Sequence, residues 1–310
     1  MDLAQKVLGG DLRAASQLIS LLEDESPAGF DAVRELYPHT GRAHIVGFTG
    51  PPGSGKSSLL RQLAKILRSR QKKVGILAVD PSSPLTGGAL LGDRIRMTEL
   101  SGDPGLYIRS MATRGYSGGL ARATADAVKV LDALGTEKIL VETVGSGQSE
   151  VDIGTLAHTT VVVEVPNMGD GIQAMKAGLL EIGDIFVVNK GDLPGSDQAK
   201  DTLEQAFHLG VAAKRSPVLK TTATTGEGVE ALLEEIERHY EAIRGSGELE
   251  KKQIARARQE ILEQLRRRMN ESIAVEGAER FEGYVLQVFR RELDPFRAAE
   301  RLWEETRGHL

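Results

Sequence analysis

The 310-residue chain is predicted to fold as an α/β protein, a mostly parallel sheet with helices on both faces, preceded by helices and followed by a helical extension. Two observations carry that expectation. From residue 44 to about 240, short β-rich apolar runs alternate with segments whose apolar residues recur at helical spacing, as a parallel sheet with crossover helices requires. The first of these runs ends in Gly50-Pro51-Pro52-Gly53-Ser54-Gly55-Lys56-Ser57, which meets the pattern G-x-x-x-x-G-K-[ST] at every fixed position between a strand pattern and a helix pattern. That context makes the core one of the P-loop NTPase kind.

Residues 1–40 read as an N-terminal helical segment. Asp11 is a candidate cap, Leu12, Ala15, Ile19 and Leu22 share a face, and Ser26-Pro27-Ala28-Gly29 divides two helices. Residues 41–244 form the sheet domain, with strands expected at 44–49, 74–79, 138–142, 160–165, 184–188 and 216–220. Near Arg244-Gly245-Ser246-Gly247 the character changes. Within 245–310, Ile254, Ile261, Leu262, Leu265 and Met269 form one helical stripe among many charges. A last segment from Phe281 to Trp303 is broken at Pro295. The pattern serves equally a cap packed on its own domain and an arm that dimerises. Arg266-Arg267-Arg268 reads as a solvated face.

Formal charge is −5 with both signs interleaved, so no global basic field recruits nucleic acid or a bilayer. There is no cysteine, which removes disulfides and thiolate chemistry together. The six histidines are scattered without ligand spacing. Met1 to Lys6 has neither a secretory nor a transit pattern, and no apolar run approaches the ~20 residues of a membrane span. A cytoplasmic protein is expected.

The chemistry follows from the loop. Glycines let the backbone turn tightly and aim N–H groups at phosphate, and the following helix adds its positive N-terminus. Gly50 through Ser58 are therefore expected to line a nucleotide's phosphates, with Lys56 on the β/γ oxygens and the Ser57 hydroxyl on Mg²⁺. Asn189-Lys190-Gly191-Asp192, after the apolar run Ile185–Val188, fits N-K-x-D. Guanine presents N1–H and a 2-amino group side by side, and the Asp192 carboxylate accepts both. Thr222, Ala223 and Thr224 lie in a Thr/Gly-rich loop that suits the base side. Asp80 and Glu142 close two strands, and strand C-terminal ends face the ligand crevice. Both are metal-site candidates, as is Asp93 on a separate loop.

Further strings resemble a known family. Val79-Asp80-Pro81-Ser82-Ser83-Pro84, Gly87-Gly88-Ala89-Leu90-Leu91-Gly92-Asp93, Ile108-Arg109-Ser110-Met111-Ala112-Thr113-Arg114-Gly115 and Glu142-Thr143-Val144-Gly145-Ser146-Gly147-Gln148-Ser149-Glu150 resemble the MeaB or ArgK family, GTPase chaperones of adenosylcobalamin-dependent methylmalonyl-CoA mutase within the SIMIBI class. The resemblance implies GTP and GDP as ligands, Mg²⁺ held through Ser57, Asp80, Asp93 and Glu142, and a slow GTPase in which Lys56, Glu142 and Gln148 act. It also implies a C-terminal dimerisation arm, hence a homodimer, and an acyl-CoA mutase as partner, reached through a switch loop containing Lys176. Arg109 and Arg114, in a stretch read as a loop, are candidate phosphate or partner-switch residues. Ser146 stands where valine is usual, and Ala177 where a second lysine is often found. Three rivals stay open: a P-loop kinase of the arginine/ornithine-transport label, against which the N-K-x-D string argues; a nickel-insertion GTPase, against which the lack of cysteine argues; and an assembly switch with incidental hydrolysis.

Overall fold

Strands buried on both faces read as near-continuous apolar runs, and the sheet here is built from such runs. The computed structural model describes residues 2–80, 102–112, 122–143, 149–166, 177–209, 215–275 and 278–307. In chain order the elements are α1 (Leu3–Leu8), α2 (Leu12–Glu23), α3 (Pro27–Leu36), a short 3-10 turn (Tyr37–His39), β1 (His44–Thr49), α4 (Lys56–Ser69), β2 (Val74–Asp80), β3 (Leu106–Ala112), α5 (Arg122–Ala133) and β4 (Lys138–Glu142). They continue with α6 (Ser149–Leu156), β5 (Thr159–Glu164), α7 (Ala177–Ile182), β6 (Ile185–Val188), α8 (Ser196–His208), β7 (Val218–Lys220), α9 (Val229–Ser246), α10 (Glu248–Val275), α11 (Ala278–Phe289) and α12 (Pro295–Arg307).

The seven strands lie in the order β3-β2-β4-β1-β5-β6-β7, and every pairing is parallel. Strand β1 is central, between β4 and β5, so the crevice at its C-terminal end is where such sheets bind ligands. Alternate residues serve the two faces. Ile45, Leu77, Ile139 and Val141 pack with α5, α6 and the N-terminal helices. Val46, Phe48, Ile76, Leu140 and Val161 pack with α4 and α9. A third cluster gathers Phe186, Val188 and Val162 with α7 and α8.

The chain divides into two compact units, Met1–Glu250 and Lys251–Leu310. The N-terminal helices belong to the core of the first. Asp11 caps α2 as expected, accepting from the Arg13 and Ala14 N–H groups at 2.8 and 3.1 Å. The entry to β1 is held by Asp132 of α5, a buried carboxylate that accepts from the N–H groups of Gly41 (2.6 Å), Arg42 (3.2 Å) and Ala43 (3.0 Å). In the second unit α11 packs on α12, while Ile254, Ile261, Leu262, Leu265 and Met269 of α10 are exposed.

One expectation is corrected. The stretch containing Arg109, read as a polar loop, is the edge strand β3, paired along its whole length with β2. An arginine sits in this strand because α2 satisfies it: the guanidinium pairs with Glu23 and donates to Ser20 Oγ at 2.9 Å.

The end of the sheet remote from the phosphate loop is closed by a polar chain. Lys138 Nζ meets His44 Nδ1 at 3.1 Å, His44 Nε2 meets Thr159 Oγ1 at 2.9 Å, Thr159 Oγ1 meets His239 Nδ1 at 2.9 Å, and His239 Nε2 lies 3.3 Å from Asp184 Oδ1. Tyr240 stacks on His44, ring centroids 3.9 Å apart. Two further ties brace the strand starts. Arg68 of α4 grips Asp103 with two bonds of 2.8 and 2.7 Å, and Lys72 pairs with Glu137 at 2.8 Å.

Two outcomes are expected. Asp132→Ala leaves three backbone donors without their acceptor and should lower the unfolding free energy by about 3 kcal/mol, read from urea denaturation. The Arg68 guanidinium holds the Asp103 carboxyl below the usual carboxylate range, and Lys72 does the same for Glu137. With folded pKa values lowered, the unfolded chain binds protons first, so this stability is present above about pH 4 and lost as pH falls through the folded values. The Asp103→Asn, Glu137→Gln double variant should melt lower than the parent at neutral pH, with a shallower further loss in acid.

Candidate functional site

The loop Gly50–Ser57 joins the C-terminal end of β1 to α4, and its shape depends on two glycines. Gly50 has φ +134°, and a Cβ there would come within 2.1 Å of the Val163 carbonyl oxygen. Gly55 caps α4 at φ +88°, and a Cβ would come within 2.4 Å of Asn189 Nδ2. Both are left-handed conformations that L side chains resist. The helix therefore starts at Lys56 with its first N–H groups turned toward the crevice.

Lys56 is buried, and its Nζ donates to the carbonyl oxygens of Gly50 (2.8 Å) and Pro51 (3.0 Å). The ammonium thus spans the loop at the place where phosphate oxygens are expected. Ser57 Oγ donates to Glu142 Oε1 at 2.8 Å. Glu142 ends β4 opposite Phe48 of β1, and the next residue, Thr143, bonds back to the Phe48 carbonyl at 3.0 Å. Asp80 ends the neighbouring strand β2, two residues beyond the Ala78–Glu142 pair.

The base side is organised by Asn189, buried just after β6. Its Nδ2 donates to the Ser54 carbonyl at 2.8 Å, while its Oδ1 accepts from Thr221 Oγ1 and from the Ala223 N–H, both at 3.1 Å. One side chain thereby ties the phosphate loop to the loop after β7. Lys190 follows at φ +58°, an uncommon conformation for a residue with a Cβ that is often found at ligand sites. The turn is held by the Gly191 N–H on the Thr221 carbonyl at 2.8 Å and leaves Asp192 exposed. Thr222 and Ala223 are buried and Thr224 is exposed.

The structure thus brings together Gly50 through Ser58, Glu142, the strand end at Asp80, Asn189 and the 222–224 loop. Arg109 instead points to α2. Asp93, Arg114, Gln148 and Lys176 lie outside the described residues. One supporting residue had no sequence signature: Gln62 of α4, whose Nε2 donates to the Ala223 carbonyl at 3.0 Å. It is legible only once β7 and α4 are set side by side.

Comparison with known proteins gives the family and supports the fold. A family model described as methylmalonyl Co-A mutase-associated GTPase MeaB matches residues 15–278. A protein of Pyrococcus horikoshii named as a GTPase is 46% identical, over 99% of this chain and 98% of its own length. A mitochondrial methylmalonic aciduria type A homolog of Caenorhabditis elegans is 33% identical over 81% of this chain and 68% of its own. Among solved structures, one described as an LAO/AO transport system kinase superposes with a TM-score of 0.73, at 23% identity, covering 98% of this chain and 96% of that one; at that identity it supports the fold alone.

Replacing Asn189 by alanine strands the partners of a buried amide and unties two ligand loops. Guanine-nucleotide affinity should fall roughly thirtyfold, the equivalent of about 2 kcal/mol, measured by titration with a fluorescent GDP analogue.

Proposed function

The chain belongs to the family of methylmalonyl Co-A mutase-associated GTPases, MeaB, and on that footing we propose that its GTP cycle gates the loading of adenosylcobalamin onto an acyl-CoA mutase and protects or reactivates that enzyme. The GTPase activity is the family's; the partner and the gating are the proposal. The observation that carries the nucleotide reading is the Asn189 bridge, which holds the phosphate loop and the guanine loop at one spacing.

The residues present fit Mg²⁺. Ser57 Oγ and Glu142 Oε1, 2.8 Å apart, are hard oxygen donors near enough to share a small cation. Among the described residues no group of three or more His, Asp or Glu is arranged for a metal, and Mg²⁺ characteristically takes only one or two protein ligands, with phosphate and water completing its shell. When bound, the ion neutralises charge on the β- and γ-phosphates. Lys56 exchanges its bonds to the Gly50 and Pro51 carbonyls for phosphate oxygens. Asp192 accepts from guanine N1–H and the 2-amino group. Glu142 opens the segment leading to Gln148, so a change at the γ-phosphate is passed along the chain toward Gln148 and, from the next strand, Lys176. Asp80, which ends β2, and Asp93, outside the described residues, are the further carboxylates assigned to the same ion by the family resemblance.

The exposed stripe Ile254, Ile261, Leu262, Leu265 and Met269 supports a homodimer formed through α10. No helix among the described residues is long and apolar enough to cross a membrane.

The test is GTP turnover, with ATP as control, alone and with an adenosylcobalamin-dependent acyl-CoA mutase from the same organism. Stimulation specific to GTP is the expected result. Equal use of ATP would overturn the guanine reading, and indifference to every such mutase would overturn the gating. Asp192→Asn places an amide donor against guanine's donors, and should weaken GTP by roughly a hundredfold while xanthosine triphosphate, whose 2-oxo group accepts, gains affinity.

A further inference from the structure

Helices α11 and α12 border, within the second unit, an open groove of about 610 Å³ lined by Arg280, Gly283, Tyr284, Gln287, Arg301 and Glu305, the three charged side chains exposed. Arg280, Gly283, Tyr284 and Gln287 follow one another at helical spacing on a single face of α11. Arg301 and Glu305 sit one turn apart on α12. Gly283 leaves the floor open, since a Cβ there would meet nothing within 4 Å.

The distribution of charge around this groove is unusual. Arg301 and Glu305, four residues apart on a helix, are spaced to pair with each other. They do not. The Glu305 carboxylate instead accepts the Tyr284 hydroxyl from the opposite helix at 2.8 Å. That bond engages the only acid lining the groove. Neither Arg280 nor Arg301 makes an ion pair among the described residues, and the Gln287 side chain makes no hydrogen bond among them. Two guanidinium groups and an amide donor thus line one groove whose single carboxylate, Glu305, is taken by the Tyr284 hydroxyl, leaving the lining with a net positive charge. Like charges around a shared space repel, and guanidinium is the side chain that grips phosphate bidentately.

We propose that the α11–α12 groove is a second ligand site, distinct from the phosphate loop, which takes the phosphate groups of a phosphorylated small molecule. Arg280 and Arg301 hold the anion from the two helices, Gln287 donates to it, and the volume leaves room for the body of a nucleotide-sized ligand against the Tyr284 ring. Tyr284 acts at one remove as a positioning residue. By holding Glu305 it keeps Arg301 available, and its hydroxyl remains protonated because the bond to Glu305 raises its pKa.

Inorganic pyrophosphate is the probe, titrated calorimetrically into the full-length protein saturated with GDP, with circular dichroism as a check on helicity. One binding event should remain, and should persist in Lys56→Ala, which separates it from the phosphate loop and makes it independent of how that loop is used. Arg280→Met and Arg301→Met should each weaken it roughly tenfold or more, and Arg301→Lys less. Tyr284→Phe should weaken it several-fold by freeing Glu305 to pair with Arg301, and adding Glu305→Gln should restore it. A site lost with Lys56→Ala, or indifferent to both arginine variants, would overturn the proposal. Failure of Glu305→Gln to restore binding would overturn the role given to Tyr284.

Discussion

The site depends on one buried amide. Asn189 offers a donor and an acceptor in fixed opposition, and the structure uses both: the donor on the Ser54 carbonyl, the acceptor on Thr221 and Ala223. The amide and its partners follow three strand ends, Asn189 that of β6, Ser54 that of β1, and Thr221 and Ala223 that of β7, whose spacing is set by the parallel ladder. The sheet therefore acts as a ruler, and Asn189 transfers its precision to two loops that have little regular structure of their own. Neither aspartate nor glutamine would serve, since the first lacks the donor and the second is longer by a methylene.

What could be read from the chain beforehand was the chemistry that is local in sequence. The phosphate loop and N-K-x-D declare themselves because each is a contiguous peptide whose residue types follow from ligand geometry. The double-sided burial of β1, β4, β5 and β6 was legible from composition, and Asp11 from its place before a periodic run. Strand β3 was not legible. Its central Arg109 argues for a loop unless Glu23 and Ser20, on a helix far earlier in the chain, are known to be waiting. Asp132 escaped notice for the same reason, as its three backbone partners lie near residue 42.

The C-terminal helices show a different kind of opacity. An apolar stripe on a charged helix has one periodicity whether its own domain or another molecule covers it. Within the second unit Ile254, Ile261, Leu262, Leu265 and Met269 are exposed, and periodicity alone could not say so. Tyr284 lies in the last segment, Phe281 to Trp303, and its role at the groove lies in the hydroxyl, which a reading of apolar periodicity discards.

The polar chain at the foot of the sheet has a direction. An ammonium can only donate, so His44 accepts at Nδ1 and carries its hydrogen on Nε2; Thr159 receives that hydrogen and passes its own to His239, whose remaining hydrogen faces Asp184. Donation runs one way, from the start of β4 through β1 and β5 to α9, and Asp184, the residue before β6, lies 3.3 Å from its end. No link can be reversed singly, because turning one bond sets donor against donor at the next. Three strand beginnings and one helix are therefore joined in a common sense, like teeth on a single ratchet, and this edge of the domain should open as a unit or not at all.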